Sequence, residues 1–349
     1  MGHTRSYFLV TVILCAVSAV SFGQTFYGSV VGLVVDASGS AVPETTVTLT
    51  NAATSERRVG TTGADGGYRF VNLVPGNYRL EVERTGFRRY VRDQIVVNVE
   101  AAVRIDVTME VGDVTQSVEV TSETPLIQSE NASLSQVVGA RAVQEIPLNG
   151  RNILNLINLV PGVVPQGASD GNLTGKNVFA AGNYQVGGGT ANQSATLFDG
   201  VTVNDTYGNI VAFVPSPDAV SEFRVQTNNN SAEYGRYTGG VINIASKSGS
   251  NEFHGSVYEY LRNRAVNAGD FFANSNGAGK PAFTQNQFGA ALGGPVRKDK
   301  TFFFANYEGF RLRQGRVFLF TTARPGNSEL SCQRWVCHRT SISYHLWMD

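Results

Sequence analysis

Short runs of alternating apolar and polar residues dominate the chain, the period-two signature of half-buried strands. Val30 to Val35, Val47 to Thr50, Tyr68 to Phe70, Tyr78 to Glu83, Ile95 to Val99 and Val103 to Met109 each predict a strand. Between them lie Asp36-Ala37-Ser38-Gly39, Ala64-Asp65-Gly66-Gly67 and Pro75-Gly76, turn residues that accept left-handed or side-chain-bonded backbones. About seven short strands at spacings near ten residues predict a β-sandwich over 24–110.

Residues 111–250 mix the two periodicities. Val118-Glu119-Val120-Thr121 alternates and leads to Pro125 as an extended connection. Ile153, Leu156, Ile157 and Val160 then fall at helical spacing, widened by Leu154 and Leu159, with asparagines on the other face and Pro161-Gly162 as the stop. That pattern predicts a helix packed on a sheet. Asp199-Gly200 between Ala195–Phe198 and Val201–Asn204 predicts a hairpin. Phe223-Arg224-Val225-Gln226 and Val241-Ile242-Asn243-Ile244 predict strands, the second fed by the pair Gly239-Gly240.

Residues 251–322 carry longer strands. Phe253 to Arg262, Gln287 to Pro295 and Thr301 to Glu308 have about the length of a transmembrane β-strand. Phe288, Ala290 and Leu292 share a face, Arg297-Lys298-Asp299-Lys300 makes a charged turn, and Asn263 to Thr284 forms a long polar loop. Phe318-Leu319-Phe320 predicts the start of one more strand. Short turns alternating with long loops match outer-membrane barrels, whereas Phe302 to Phe304 on a sheet in water would invite aggregation.

The two ends differ from the rest. In 1–23, His3 and Arg5 precede an apolar run from Tyr7 to Val20, and the small residues Ser21 and Gly23 stand before Gln24, the pattern of a cleaved secretory signal. Leu14 before Cys15 argues against a lipoprotein site. In 323–349, Trp335, Trp347, Cys332, Cys337, His338 and His345 are concentrated in a stretch without strand alternation. The expectation there is an aberrant tail, such as a translated frameshift, with no haem or zinc spacing.

Composition narrows the function classes. Lys plus Arg and Asp plus Glu number 28 each, so no net charge points to nucleic acid. Charged residues are only 16%, with 38 Gly, 20 Phe and 13 Tyr, which suits an all-β, partly lipid-facing chain. Four His and three Cys leave little for a metal enzyme, and no cofactor is expected. Ser194, Asp199, Asp205 and His254 can be assembled into a triad on paper, but no nucleophile elbow supports it, so no enzyme is expected. Gly187 to Gly189 lacks the context of a phosphate loop. The Asn-x-Ser/Thr sites at Asn131, Asn172, Asn192 and Asn204 follow from an Asn-rich composition.

Two resemblances rest on specific strings. Gly32…Asp36-x-x-Gly39-x-x-Val42-Pro43, Asp65-Gly66-x-Tyr68-x-Phe70, Leu73-x-Pro75-Gly76-x-Tyr78 and Gly86-Phe87 resemble the carboxypeptidase regulatory-like domain, a transthyretin-like, carbohydrate-binding-like sandwich. Asp199-Gly200-Val201…Asn204, Val220…Phe223-Arg224-Val225 and Tyr234-Gly235…Gly239-Gly240-Val241-Ile242-Asn243-Ile244…Lys247 resemble the plug of TonB-dependent outer-membrane receptors, Oar-like branch. The fold class implied is mainly β: sandwich, then an α+β plug (111–250), then the first strands of an incomplete transmembrane barrel (251–322). The motif residues are Asp199, Gly200, Tyr234, Gly235, Gly239, Gly240 and Asn243.

That resemblance implies a receptor in the outer membrane importing a bulky ligand of carbohydrate or peptide class. It also implies a TonB-type energy-coupling partner, for which Ser117-Val118-Glu119-Val120-Thr121-Ser122 is the candidate box. Three or four strands cannot close a lumen, since membrane barrels need about eight and family members have about twenty-two. The expectation is therefore an N-terminal fragment that does not transport alone. The alternative is a surface or periplasmic carbohydrate-binding or adhesion protein using the sandwich.

Overall fold

The computed structural model describes residues 26–112, 117–120, 133–165, 184–190, 192–269, 271–275, 280–323 and 330–348. The predicted signal, 1–23, lies outside them, as do Thr121 and Ser122. The chain divides into two compact units, 1–246 and 247–349.

The first unit begins with the sandwich. Its strands are β1 (Gly28–Asp36), β2 (Thr46–Asn51), β3 (Arg57–Thr61), β4 (Gly67–Leu73), β5 (Gly76–Glu83), β6 (Arg89–Val97), β7 (Ala102–Arg104) and β8 (Val107–Met109). One sheet has β1 between β4 and β7, with β8 also paired to β1; the other runs β3-β2-β5-β6. Alternation sets which side chains meet. Val30, Val34, Val47, Leu49, Leu80, Val82, Val103 and Val107 point inward and are almost fully buried. Tyr68 and Tyr78 are buried among them, and each phenol donates to a main-chain carbonyl, Ile105 and Val74, at 2.7 Å. Burial raises both tyrosine pKa values, which keeps these donors protonated. Asp36 closes the first turn by accepting from Ser38 Oγ and from the Ser38 and Ser40 amides. Those bonds, led by the Ser38 hydroxyl, hold its carboxyl below the usual range.

A further strand, β9 (Ser117–Val120), adds to β6 in parallel, with Arg89 opposite Ser117 and Arg92 opposite Val120. The candidate coupling segment thus begins as an edge strand of the sandwich.

The rest of the first unit centres on a mixed sheet. Its strands are β10 (Leu134–Val138), β13 (Ala195–Phe198), β14 (Val201–Thr202), β15 (Val220–Asn228) and β16 (Val241–Ser246). Their order is β10-β15-β16-β13-β14, with only β13–β16 parallel. A small hairpin joins β11 (Val163–Pro165) to β12 (Tyr184–Val186). Ile153, Leu154, Leu156, Ile157 and Val160 pack with Phe223, Val225, Ile242 and Ile244.

The predicted helix is real in position but different in kind. Residues 153–159 form a 3₁₀ helix, capped by Asn152, whose side chain accepts from the Leu154 amide at 3.0 Å. The tighter winding turns Leu159 out, leaving it 55% exposed instead of widening the buried stripe. Pro161 follows directly and denies the segment a longer α-helix.

The second unit is a four-stranded antiparallel sheet in the order β17 (His254–Asn263), β18 (Phe283–Arg297), β19 (Thr301–Ala323) and β20 (Leu330–Met348). It does not close on itself. β19 runs through Phe318 to Phe320, where the pattern predicts a separate strand. β20 pairs with β19 from Ala305↔Met348 to Ala323↔Leu330, although the sequence there shows no strand alternation. Main-chain pairing to an open edge needs only free N–H and C=O groups, so any proline-free segment can supply it.

Candidate functional site

Register separates the two faces of the second unit. Val257↔Ala290, Ala290↔Tyr307 and Gly255↔Leu292 put Val257, Leu261, Ala290, Leu292, Phe288, Phe303 and Tyr307 on one side. Val257 is 86% exposed and Leu292 50%. The opposite side carries Tyr258, Gln287, Asn306 and Glu308 together with the buried apolar side chains Ala291, Phe304 and Leu312. Tyr258 donates to Glu308 Oε2 at 2.6 Å and Gln287 Nε2 to Glu308 Oε1 at 3.0 Å. Val257, Leu261 and Leu292 bare on one face, with the polar Gln287 and Asn306 buried on the other, fit the wall of a membrane barrel better than a sheet in water.

The mixed sheet of the first unit holds most of the motif residues, and they divide by role. Asp199 and Gly200 have φ values of 49° and 79°, the two left-handed residues of a type I′ hairpin turn joining β13 to β14. Asp199 also accepts from the Ser246 amide at 2.8 Å, tying the turn to the end of β16. Gly239 and Gly240 permit close approach: a Cβ on Gly240 would lie 2.2 Å from Val186 Cγ1 and 2.6 Å from the Gln226 carbonyl oxygen. Gly235 is exposed and ends the 3₁₀ turn of Ala232–Tyr234.

Tyr234 and Asn243 do something the sequence does not show. Both donate to the carboxylate of Glu100, a residue of the sandwich loop between β6 and β7; the Asn243 bond is 2.8 Å. Gln226 donates to the other oxygen of the same carboxylate. Arg224, fully buried, donates from Nη1 to the Val99 and Glu100 carbonyls at 3.1 and 2.7 Å. Its Nε and Nη2 reach Ser135 Oγ at 2.9 and 2.6 Å. Glu222 accepts from the Val99 amide at 2.6 Å.

The spacing explains how these groups come together. Glu222, Arg224 and Gln226 alternate along β15 and so share one face, with Asn243 opposite Arg224 on β16 and Ser135 opposite Gln226 on β10. Phe223 and Val225 take the other face into the apolar core. Burial pushes the Glu222 carboxyl up and the Arg224 guanidinium down, and it pushes the Tyr234 phenol up, reinforced by Glu100. Glu100, Glu222, Gln226 and Ser135 have no sequence signal of their own, because their partners lie about a hundred residues away. Arg224 stands in the predicted strand, but nothing local says that its face is covered. Of the residues assembled into a triad on paper, Asp199 accepts from the Ser246 amide and Asp205 from the Gly208 amide within its own loop. Among the described residues no group of His, Cys, Asp and Glu could hold a metal.

Residues 29–110 match the carboxypeptidase regulatory-like domain family and residues 245–333 the outer membrane beta barrel domain family. The chain therefore joins a transthyretin-like sandwich to an outer-membrane β-barrel domain, and its location is the outer membrane.

The particular relationship is to the TonB-dependent transporter Oar of Myxococcus xanthus. The two are homologous, 29% identical over 304 residues, covering 82% of this chain and 27% of that protein. This chain thus spans about a quarter of the length of the relative it matches. Among solved structures, the siderophore receptor PirA from Acinetobacter baumannii is 21% identical, covering 52% of this chain and 25% of its own, with a TM-score of 0.35. Hydroxyquinol 1,2-dioxygenase from Pseudomonas putida DLL-E4 is 10% identical, covering 26% and 59%, with a TM-score of 0.22. At these scores neither likeness bears on function.

Proposed function

We propose that the chain acts as part of a TonB-dependent outer-membrane receptor. In this reading residues 133–246 are the plug that gates a barrel to which β17–β20 contribute, and a bulky carbohydrate or peptide is the cargo. The observation that carries it is the second unit's sheet, which leaves Val257, Leu261 and Leu292 in the open while the hydrogen-bonded Tyr258–Gln287–Glu308 group lies on the opposite side. Such a sheet is stable against lipid and a liability in water. A surface-binding protein without a membrane wall gives no reason for it. Four strands do not enclose a lumen, so these strands transport only as part of a closed barrel.

Coupling runs through Ser117 to Ser122. As an edge strand on β6, Ser117–Val120 offers backbone groups along its free side, which suits strand addition to a periplasmic partner. A photo-crosslinking residue at Val118, in cells making a TonB-type protein, tests this. A crosslink to that protein is expected. Crosslinks only from other positions in 111–133 reassign the segment, and none at all removes the coupling.

A further inference from the structure

The polar face of the mixed sheet is buried, which a sheet with one apolar side does not need. What covers it is the loop at Asn98 to Ala101. Every polar atom that loop offers the sheet finds a partner: the Val99 amide on Glu222, both carbonyls on Arg224, and both carboxylate oxygens on Gln226, Asn243 and Tyr234. Glu100 sits at φ 52°, a left-handed conformation that glycine or asparagine adopts more readily. A non-glycine residue held there is over-determined by its surroundings, and here the surroundings are the four side chains that grip it.

We propose that Glu100 and the face made by Arg224, Gln226, Tyr234 and Asn243 form a carboxylate latch that fixes the sandwich to the mixed-sheet domain as one body. Glu100 is the positioning residue, and the sheet face is a carboxylate-binding site filled from within the chain. The sandwich is then a fixed cover of that face, and displacement of either domain carries the other or breaks the latch. The sandwich and the mixed sheet lie in a single compact unit, 1–246, in keeping with this. The latch stands whether or not the chain takes part in transport.

Amide hydrogen exchange on the full chain in detergent reads the junction directly. Glu100→Ala is expected to speed exchange at the Val99 amide by about tenfold or more, because its partners lose their acceptor while buried. Sandwich amides at 46–51 and 78–82 should keep their protection. Glu100→Gln alone should give a smaller rise at the same place. Combining Glu100→Gln with Gln226→Glu exchanges acid and amide across one hydrogen bond, leaves an acceptor for Tyr234 and Asn243, and should restore protection. Unchanged exchange at 98–101 in Glu100→Ala, or a double variant no better protected than Glu100→Gln, overturns the latch. If Glu100→Ala unprotects the whole unit, Tyr234→Phe decides: faster exchange confined to the junction supports the latch, and uniform or absent change refutes it.

Discussion

The two sheets of this molecule differ in what covers their faces. In the mixed sheet both faces of β15 are covered, the apolar one by Ile153–Val160 and the polar one by the Glu100 loop. In the four-stranded sheet the apolar face around Leu292 is bare while Gln287, on the other side, is 4% exposed. Hydropathy period alone does not say which face meets solvent. Surroundings decide: a buried polar face needs a matching set of hydrogen-bond partners, and a bare apolar face needs lipid.

The sharpest way to break the first sheet is Arg224→Leu. It leaves the Val99 and Glu100 carbonyls and Ser135 without their donor and the Glu100 and Glu222 carboxylates without their cation. A loss of about 3–5 kcal/mol in the first unit is expected, seen as a lower melting temperature followed by circular dichroism. A loss below about 1 kcal/mol would mean that solvent reaches this face.

For the second sheet, Leu292→Arg tests the lipid assignment. On a wet surface the change should be close to neutral. Near the bilayer midplane it should cost about 2–4 kcal/mol, read as lost membrane integration or lower resistance to urea extraction.

Two smaller effects sharpen the picture of the mixed sheet. Gly240→Ala forces a methyl against Val186 and the Gln226 carbonyl and should cost about 1–3 kcal/mol; normal stability would mean that β12 does not pack there. Asp199→Ala removes the bond to the Ser246 amide and puts alanine in a left-handed turn, for a loss near 1–2 kcal/mol. Asp199→Asn, which tolerates that backbone, should recover most of it.

The smallest effect concerns pH. Burial raises the Glu222 carboxyl, so the folded state holds its proton more tightly than the unfolded chain. This group therefore favours folding below its unfolded pKa, and that contribution is lost as pH rises through the higher folded value. Glu222→Gln keeps an oxygen for the Val99 amide and removes the titration. A flatter fall of melting temperature between about pH 4 and neutrality is expected. An unchanged slope would assign the dependence to other groups.

Much of this architecture follows from local pattern. Asp199-Gly200 predicts its hairpin because few other pairs adopt two left-handed residues in succession. The sandwich strands follow from alternation broken by Asp/Gly and Pro/Gly turns, and β17–β19 from their length and aromatic content. The helix at 152–160 is legible in place but not in winding, since periodicity over nine residues does not separate 3₁₀ from α. β20 is not legible, because edge pairing uses the main chain and leaves no mark in side-chain order.

The sequence by itself therefore determined the strands, the turns and the resemblance to an outer-membrane receptor, all of which depend on neighbours within about ten residues. Only the tertiary structure decided what Glu100, Arg224, Tyr234 and Asn243 do. Their bonds across the junction at 99–100 join positions more than a hundred residues apart, and no spacing in the chain encodes a contact that exists only once two domains have met.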